Sequence, residues 1–487
     1  MGLCRAAAYL EKAGHETKVL DGQATSTGPD DTLNSAISME PDVVLIQTVP
    51  ETHLYTFMTV SGFPYHIEFA RRLKTALPGV IIIMGGAYTT YAADRILKDE
   101  PCVDAIFGGW PAKLPDVIAS YRNPGRLKDI PGVSIIYNHT LYAPTGREKA
   151  QEKLLSPAFH LLEGYPGRYG VDENLYLGPT RKIKPVQPAI GSLGCPYSCN
   201  FCTTPLYFQN KYSERSLDDF LLEIEFLIER YGITDFSIWD DTFTISRKRV
   251  ETFCRMLINR GIHLKWWCFG HAVWVKQNAD LLPLLREAGL RMMWIGVEAA
   301  DNKVLSAYCK RMSFQDGKDA IRLLCGSDIL PTASYILGNI DDTDDSLREV
   351  IDISMEFVEM GTVNVYTILI PVPGTPIYDR AQKNGLLYTN DLRLYNGARA
   401  VINYPHFDRE KVEEYFFTSY RKSILNERFL KNPDRVNFRS SGEGDFKRDK
   451  EDNLSELYKI EVERMLSLEK QIYFKDTNPD NVLWKLY

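Results

Sequence analysis

Three cysteines in the middle of the chain have the spacing of a metal centre. Cys195, Cys199 and Cys202 lie in the segment GSLGCPYSCNFCTTP, residues 191–205. Cysteine thiolates are soft ligands that select iron–sulfur clusters or zinc. A structural zinc site needs a fourth ligand at a comparable spacing, and His271 is distant in sequence. Three thiolates on a four-iron cluster leave one iron open to a substrate. The pattern therefore favours a catalytic 4Fe–4S cluster, with zinc or a purely structural cluster as the alternative.

The remaining cysteines are scattered singly and indicate no disulfide framework. Isolated cysteines are usually small, buried apolar side chains. An odd total of nine cysteines, without a signal peptide at the N-terminus, is typical of a protein in a reducing compartment. We therefore expect a cytoplasmic protein. The scattered residues are Cys4, Cys102, Cys254, Cys268, Cys309 and Cys325.

The composition limits the classes of partner. The formal net charge is −7, and charged residues make up 25% of the chain. Phosphate contacts need clustered lysine and arginine, so a nucleic-acid partner is disfavoured. No apolar run approaches the roughly 18 residues of a membrane helix, so no transmembrane segment is expected.

Polar residues follow several predicted strands in the half of the chain that begins with the cysteines. The strand ends read WDDTF (239–243), WIGVEAAD (294–301), YILGNIDDT (335–343) and PVPGTPIYD (371–379). Six successive βα units are typical of a partial (β/α)6 barrel, whose chemistry takes place at the C-terminal strand ends. The predicted strands lie at 188–194, 235–241, 265–270, 291–298, 332–338 and 365–372.

Strands and helices also alternate over the first 125 residues. Strands are predicted at 17–21, 42–47, 80–86 and 103–109, and a hairpin over 133–145 closes the unit. This is the pattern of an α/β, doubly wound, Rossmann-like domain, whose ligands lie beyond the carboxyl ends of the strands. Two glycine pairs stand at such ends, where they let a ligand approach the backbone or simply form tight turns. The pairs are Gly85-Gly86 and Gly108-Gly109.

These patterns divide the chain into four parts. We predict the Rossmann-like domain over residues 1–146, a linker over 147–186, the partial barrel over 187–400 and a mainly helical region over 401–487. Residues 438–453 are charged and poor in apolar side chains, which predicts a flexible loop within the last part.

The cysteine segment resembles the CxxxCxΦC motif of radical S-adenosylmethionine enzymes, with Phe201 as the aromatic residue. This resemblance extends through the barrel and implies a 4Fe–4S cluster on the three cysteines, with S-adenosylmethionine chelated at the open iron. An electron from the cluster would then give a 5′-deoxyadenosyl radical. For Asp241, as for Asp342, a helix-capping carboxylate is the alternative. The implied contacts of S-adenosylmethionine are Phe201, Asp240, Asp241, Glu298, Gly338 and Pro371.

An α/β domain before such a barrel resembles the cobalamin-binding class of these enzymes. That class includes C-methyltransferases and the anaerobic magnesium-protoporphyrin monomethyl ester cyclase. The matching stretches are AAYLEKAGHETKVLD (7–21), PDVVLIQT (41–48), MGGAYTTY (84–91) and VDAIFGG (103–109). The family holds cobalamin base-off, and the chain accordingly lacks a DxHxxG motif. The implied cobalamin contacts are Gln47, Thr48, Gly85, Gly86, Thr89, Gly108 and Gly109.

Two features depart from this family pattern. Gly108-Gly109-Trp110-Pro111 stands where the family usually has GEGE. Met1-Gly2-Leu3 falls inside a sequence segment that, in the family, normally follows a first strand. That strand is central in a doubly wound sheet, so its loss would expose neighbouring edges and weaken the cobalamin pocket. Either the true start lies upstream, or the sheet is shortened and cobalamin binding is weak or lost. We expect the first.

The resemblance implies an oxygen-sensitive methyltransferase on an unactivated carbon, which would use the 5′-deoxyadenosyl radical and methylcobalamin. The alternative is an oxidative cyclase or hydroxylase that uses the same cofactors without methyl transfer. A non-catalytic cobalamin- or cluster-binding protein is the candidate from another class. A methylthiotransferase is disfavoured because it needs a second cysteine triad. The expected partners are a small-molecule, lipid or peptide substrate and an electron donor such as flavodoxin or ferredoxin.

Aromatic residues are concentrated near the third predicted barrel strand. Because aromatic side chains dominate protein cores, core packing is the leading interpretation, and a substrate wall is the alternative. The residues are Trp266, Trp267, Phe269 and Trp274.

Overall fold

A computed structural model of the chain shows two α/β units, each built on its own sheet. Their mixed α/β architecture confirms the predicted fold class. The structure describes residues 2–25, 27–48, 63–86, 89–90, 92–143, 154–167, 169–171, 184–391, 394–395 and 397–424.

The N-terminal unit is a five-stranded sheet in the order β1-β2-β3-β4-β5. The first three strands are parallel, and β4 and β5 are antiparallel additions that form the predicted hairpin. The strands are β1 (Val43–Gln47), β2 (Ile81–Gly85), β3 (Ala105–Phe107), β4 (Val133–Tyr137) and β5 (Thr140–Tyr142). The helices are α1 (Gly2–Lys12), α2 (Gly22–Thr25), α3 (Pro29–Ser38), α4 (Phe63–Ala76), α5 (Ala93–Asp99), α6 (Leu114–Ser120) and α7 (Pro124–Leu127).

Helices cover both faces of this sheet. Ile82 lies in the core that includes Leu73 of α4, whereas its neighbour Ile83 lies in the core that includes Leu10 of α1. Successive side chains of a strand point to opposite faces, so a strand buried on both sides is apolar throughout. The continuous apolar run of β2 therefore follows from its place between two helical layers.

Residues 17–21, which the sequence predicts as a strand, form none, so that prediction is wrong. A strand needs a hydrogen-bonding neighbour, and β1 stands at the edge of the sheet with β2 on one side only. In a doubly wound sheet a central strand would stand between this segment and β1. The described part contains no such strand, so residues 17–21 have no neighbouring strand with which to form backbone hydrogen bonds.

The second unit is a seven-stranded sheet in the order β14-β13-β12-β11-β10-β7-β6. Six of its strands are parallel, with β6 added antiparallel at one edge, so the predicted partial (β/α)6 barrel is confirmed. The remaining strands, β8 and β9, form a two-stranded ribbon beside the cysteines. The strands are β6 (Gly170–Val171), β7 (Lys184–Ala189), β8 (Ser192–Leu193), β9 (Ser213–Glu214), β10 (Asp235–Ile238), β11 (Lys265–Gly270), β12 (Leu290–Glu298), β13 (Leu330–Leu337) and β14 (Val363–Ile368).

Helices alternate with these strands and begin where the sequence provides capping residues. Ser216 accepts the Asp219 N–H at the start of α9, and Thr343 forms a capping box with Ser346 at the start of α15. The helices are α8 (Thr204–Tyr207), α9 (Leu217–Tyr231), α10 (Arg247–Asn259), α11 (Ala272–Gln277), α12 (Leu282–Glu287), α13 (Asn302–Ala307), α14 (Phe314–Gly326), α15 (Asp344–Met360), α16 (Pro376–Lys383) and α17 (Arg409–Ile424).

The first helix joins the two units through buried ion pairs. Arg5 of α1 contacts Glu223 of α9 at 3.0 Å, and Arg215 contacts the other oxygen of the same carboxylate at 3.0 Å. All three side chains are almost completely buried. Arg5 also donates to the Leu155 carbonyl oxygen at 2.5 Å, within the predicted linker. Arg5 therefore links helix α1 of the N-terminal unit to the segment around residue 155 and to the barrel helix α9.

Replacing Glu223 by glutamine should lower the free energy of unfolding by roughly 3–5 kcal/mol, because the buried Arg5 and Arg215 guanidinium groups would lose the carboxylate that they share, and Arg215 would keep only its pair with Asp219. Urea denaturation followed by circular dichroism measures the change. Glu225→Gln is the matched control on the same helix, since Glu225 forms only a longer, partly exposed pair with Arg260 at 3.4 Å. Equal stability of the two variants would show that this network does not hold the units together.

The C-terminal strand ends of the two sheets face each other. Trp110, which follows β3, packs against Phe208 beyond the cysteines, with ring centroids 6.1 Å apart. Val372, which follows β14, packs against the core that contains Ile46 and Met84 of the N-terminal sheet. Because ligands of α/β sheets lie beyond the C-terminal strand ends, the ligand sites of both units open toward one interface.

The C-terminal region is described as far as residue 424, where it forms the helix α17. The predicted loop at 438–453 and the rest of the predicted helical region lie outside the described residues, as do residues 144–146 at the end of the predicted N-terminal domain and residues 147–153, 168 and 172–183 of the predicted linker. Within the described part, no helix combines the length and apolar character needed to cross a membrane.

Candidate functional site

The three cysteines lie on a loop between β8 and α8 that is tied to two other parts of the barrel. Cys202 donates its N–H to the Cys199 carbonyl oxygen at 3.1 Å, which curls the loop. Asn200 donates its N–H to the Tyr308 carbonyl oxygen at 3.0 Å and accepts the Ile377 N–H at 3.2 Å. The loop therefore has its shape fixed by backbone contacts after β12 and after β14.

Two aspartates after β10 hold the start of this loop. Asp240 accepts the Gly191 N–H at 2.7 Å and the Ser192 hydroxyl at 2.6 Å, and desolvation raises the pKa of its carboxyl group to about 6. Asp241 accepts the Gly194 N–H at 2.9 Å and the Thr204 hydroxyl at 2.9 Å. Both carboxylates thus bind the protein's own loop. Their predicted contact with S-adenosylmethionine stays a prediction.

The cysteine thiols are partly buried, which affects their protonation. Burial raises the pKa of Cys199 to about 12, and burial also raises the pKa of Cys195 and Cys202. Metal binding must therefore displace protons from all three. Among the described residues, no three His, Cys, Asp or Glu side chains converge as the ligands of one metal ion do. The thiolates of a four-iron cluster bind separate irons and need not converge on one point.

Glu298 and Lys310 form a buried ion pair near the cysteines. Lys310 Nζ lies 2.6 Å from Glu298 Oε1, with side-chain exposures of 11% and 9%. Burial alone would lower the pKa of Lys310, but the Glu298 carboxylate and the Cys199 and Cys202 thiols together raise it, so its ammonium group stays charged. The pair therefore presents one carboxylate and one ammonium group at the end of β12.

The backbone around this pair is specialised. Glu298 has φ +65, a left-handed conformation that non-glycine residues rarely adopt, and the pairing of β12 with β13 shifts between Gly296 and Glu298. A Cβ at position 296 would collide with the Glu298 carboxylate and lie 2.6 Å from Lys310 Nζ. Glycine at 296 thus makes room for both charges. The Glu298 carboxylate and the Lys310 ammonium group are complementary in charge to the amino and carboxylate groups of an amino acid.

The other predicted S-adenosylmethionine residues lie at neighbouring strand ends. The ring of Phe201 packs edge-to-face on buried Tyr308, with centroids 4.9 Å apart. Gly338 directly follows β13, and its N–H donates to Asp342 Oδ2 at 3.0 Å. Asp342 also accepts the Asn339 N–H at 2.8 Å and the Ser346 hydroxyl at 2.8 Å, so it holds the turn before α15, whose N-cap is the next residue, Thr343. Pro371 lies after β14, at the same end of the barrel.

The predicted cobalamin residues of β1 and β2 lie together in the N-terminal unit. Thr48 donates its N–H to the Gly85 carbonyl oxygen at 2.8 Å and its hydroxyl to the same oxygen at 2.9 Å. The Thr89 hydroxyl lies 3.4 Å from that of Thr48 and donates to the Gly86 carbonyl oxygen at 3.1 Å. Gln47 ends β1 directly before them. The group forms a polar end to the sheet on the side that faces the barrel.

The second glycine pair has a packing role in the structure. Gly108 donates its N–H to the Gly132 carbonyl oxygen at 2.8 Å, and a Cβ at Gly109 would lie 2.7 Å from the Phe107 ring. Glycine is therefore needed for close packing between the end of β3 and the start of β4. The predicted contact of Gly108 and Gly109 with cobalamin stays a prediction.

The sequence did not reveal three features of this site. Lys310 stands in the segment CKRM, which has no pattern to distinguish it from a surface lysine. The ring of Tyr197, inside the cysteine segment, stacks on His271 at 4.2 Å. His271 follows β11, and its distance from the cysteines in the sequence gives no sign of this contact. Asn200 lies between two cysteines, and only the folded chain shows which backbone groups it binds.

Two protein families match the chain by their sequence models. Residues 190–353 match the radical SAM superfamily, and residues 1–117 match the B12 binding domain. The first match contains the cysteine loop and the Glu298–Lys310 pair. The second contains the polar end of the N-terminal sheet.

Two curated proteins are similar over most of the chain. An uncharacterized methyltransferase of Pyrococcus horikoshii is 25% identical over 432 residues, which covers 87% of each chain. The anaerobic magnesium-protoporphyrin IX monomethyl ester cyclase of Rubrivivax gelatinosus is 24% identical over 435 residues, which covers 88% of this chain and 74% of the cyclase.

A solved structure shares the fold of both units. TsrM, a radical S-adenosylmethionine methyltransferase from Kitasatospora setae with cobalamin and a 4Fe–4S cluster bound, superposes with a TM-score of 0.62 at 19% identity. The match covers 80% of this chain and 76% of TsrM. At this identity the likeness concerns the fold alone.

Proposed function

Since this chain belongs to the radical S-adenosylmethionine enzymes and carries a B12-binding domain, we propose that it is a cobalamin-dependent methyltransferase acting on an unactivated carbon. The observation that carries the proposal is the interface at which the strand ends of both units meet, marked by the contact of Trp110 with Phe208. A reaction that uses both cofactors needs them on the two sides of one space. The methyltransferase from Pyrococcus horikoshii supports the same activity.

When bound, the 4Fe–4S cluster supplies the electron, S-adenosylmethionine the radical and the methyl group, and cobalamin the methyl carrier. Cys195, Cys199 and Cys202 would hold the cluster, and the three soft thiols are the donor set it requires. Asp240 and Asp241 position the loop through its backbone N–H and hydroxyl groups. Their role is to fix the cysteine geometry before the cluster is assembled.

Glu298 and Lys310 would hold the amino-acid part of S-adenosylmethionine. The carboxylate of Glu298 suits its amino group, and the ammonium group of Lys310 suits its carboxylate. Phe201 would lie near the adenine, and Gly338 and Pro371 would border the cofactor at the adjacent strand ends. Together these residues would bind and orient the cofactor and exclude water from the open iron.

Gln47 and Thr48 would border the corrin face of cobalamin toward the cobalt, and Gly85, Gly86 and Thr89 would line the pocket of its nucleotide tail. Their hydrogen bonds hold the backbone after β1 and β2 in one arrangement. Gly86 has φ +134, and a Cβ there would collide with the Thr48 carbonyl oxygen. The bare backbone therefore lets a large ligand approach the sheet end closely.

Replacing Gly86 by alanine should weaken cobalamin binding by at least about tenfold and lower the stability of the N-terminal unit by roughly 1–3 kcal/mol, since alanine is strained at this φ. Absorbance of protein-bound cobalamin after gel filtration measures the binding. Gly79→Ala is the matched control, because a Cβ at position 79 meets no atom within 4 Å. Full cobalamin loading of the Gly86 variant would contradict the assigned pocket.

The proposed activity is tested on protein reconstituted anaerobically with iron, sulfide and cobalamin. S-adenosylmethionine and a strong reductant are added, and the products are quantified by mass spectrometry. We expect S-adenosylhomocysteine in an amount comparable to the bound cobalamin, because one methyl group leaves S-adenosylmethionine for each carrier. The substrate is expected to be a small molecule, lipid or peptide, and flavodoxin or ferredoxin the donor of electrons.

The same measurement separates the second candidate function. The similarity to the cyclase of Rubrivivax gelatinosus supports an oxidative cyclase or hydroxylase that uses the same cofactors. 5′-Deoxyadenosine without S-adenosylhomocysteine would favour that function and contradict methyl transfer. Absence of both products, with the cluster intact, would favour a non-catalytic binding protein.

A further inference from the structure

Two buried arginines lie where the chain leaves the first barrel strand, β7, and enters the cysteine loop. Arg215 directly follows β9, and Arg249 lies in the first turn of α10. Their side chains are only 2% and 8% exposed. Arginine is almost never buried unless its guanidinium group is paired and hydrogen-bonded. The groups that each arginine binds therefore indicate its role.

The two guanidinium groups bind successive carbonyl oxygens of the chain before the loop. Arg215 Nη1 donates to the Ile190 carbonyl oxygen at 2.9 Å. Arg249 Nη2 donates to the Gly191 carbonyl oxygen at 2.8 Å, and the backbone N–H of Arg215 donates to the same oxygen at 3.0 Å. Both oxygens precede β8, the short strand after which the cysteine loop begins.

The backbone N–H that lies between these two oxygens is bound as well. Asp240 accepts the N–H of Gly191 at 2.7 Å, together with the hydroxyl of Ser192. A Cβ at position 191 would lie 3.0 Å from the Phe220 ring, so the turn is tightly enclosed. Three consecutive backbone polar groups are thus held by charged side chains, which fixes the direction in which the chain enters the loop.

Further contacts hold the two arginines in place and join them to each other. Arg249 Nη1 donates to the Arg215 carbonyl oxygen at 2.8 Å and lies 3.5 Å from Glu214 Oε2. Arg215 pairs with Asp219 at 2.7 Å and with Glu223 at 3.0 Å. The two residues therefore form one connected unit, which we call the arginine clamp.

The clamp depends on the shape of the guanidinium group as well as on its charge. Arg249 uses two different nitrogens for two carbonyl oxygens, those of Arg215 and Gly191. A planar guanidinium group presents several N–H groups in a fixed fork, whereas the ammonium group of lysine is a compact point charge on a flexible stem. Lysine at position 249 would keep the buried positive charge and lose this forked geometry.

We propose that the arginine clamp positions the 4Fe–4S cluster, because it fixes the start of the cysteine loop and, through the loop, the arrangement of the three thiolates. The inference rests on the proposed function, which assigns the cluster to these cysteines. Contacts of Asn200 with the backbone after β12 and β14 hold the loop between its second and third cysteine, and the clamp holds its beginning. Both arginines act through backbone groups, so their loss should loosen the cluster without removing a ligand.

Arg249→Lys tests the clamp in the reconstituted holoenzyme. Release of iron to an excess of chelator, followed by the absorbance of the iron–chelator complex, should be about tenfold faster than in the native protein. Residues that orient metal ligands typically change metal affinity by roughly ten- to a hundredfold, which sets this expectation. The electron paramagnetic resonance spectrum of the reduced cluster should also broaden, because the thiolates would no longer hold the irons in one arrangement.

Two controls on α10 separate positioning from general stability. Arg255→Lys changes a 60% exposed arginine that pairs with Glu251, and it should leave iron release unchanged. Leu257→Ala removes a fully buried core side chain, so it should lower the unfolding temperature at least as much as Arg249→Lys while the cluster keeps its native release rate and spectrum.

Iron release in Arg249→Lys at the native rate would overturn the proposal. Equally fast release in Leu257→Ala would also overturn it, because the effect would then follow from stability alone. Iron release needs no turnover and so does not depend on methyl transfer. S-adenosylhomocysteine formation, measured on the same preparations, reports separately on the proposed function.

Discussion

Replacing Cys199 by serine should abolish the 4Fe–4S cluster and, with it, all formation of 5′-deoxyadenosine. A serine hydroxyl is a harder ligand than a thiol and is less acidic. Because burial already raises the pKa of the Cys199 thiol to about 12, a hydroxyl at this position should bind iron poorly. Loss of a residue that merely supports a metal ligand costs up to about a hundredfold in affinity, so loss of the ligand itself should cost more. Iron content, the visible absorbance of the cluster and 5′-deoxyadenosine yield are the measurements.

Cys309→Ser is the control for general effects of removing a cysteine. Cys309 is exposed and lies outside the cluster segment, so this variant should keep its iron and its activity. Thermal unfolding of both variants, compared in the absence of iron, separates folding from cluster loss. A Cys199 variant that retains four irons and produces 5′-deoxyadenosine would contradict the assignment of the cluster.

Local pattern was sufficient to predict the scaffold. The six barrel strands follow from apolar periodicity, which acts over a few residues, although the first begins at Lys184 and not at the predicted residue 188. The three cysteines share one short segment, so their spacing is visible in the sequence. The predicted strand at 17–21 failed because strand formation depends on a neighbour elsewhere in the sheet.

The features that the sequence did not predict depend on contacts between distant segments. Lys310 meets Glu298 because β12 bends at its end and the chain returns after α13. Tyr197 meets His271 across two barrel strands.

Replacing Glu298 by glutamine should weaken S-adenosylmethionine binding by at least about tenfold and lower the free energy of unfolding by roughly 3–5 kcal/mol. The loss of binding follows from removing the carboxylate assigned to the cofactor's amino group. The loss of stability follows because the buried ammonium group of Lys310 would lose its partner at 2.6 Å. Glu356→Gln is the matched control, since Glu356 pairs with Lys318 at 2.7 Å but is 46% exposed.

The double variant Glu298→Gln, Lys310→Met separates the two effects. Removing both charges leaves no unpaired group in the interior, so its stability should return to within about 1–2 kcal/mol of the native protein. Binding of labelled S-adenosylmethionine should stay lost, because neither group that faces the amino acid is present. Recovery of binding together with stability would mean that the pair serves only to hold β12 and the chain after α13 together. Stability without binding would show that two buried charges, kept in place by glycine at 296, are retained for the cofactor.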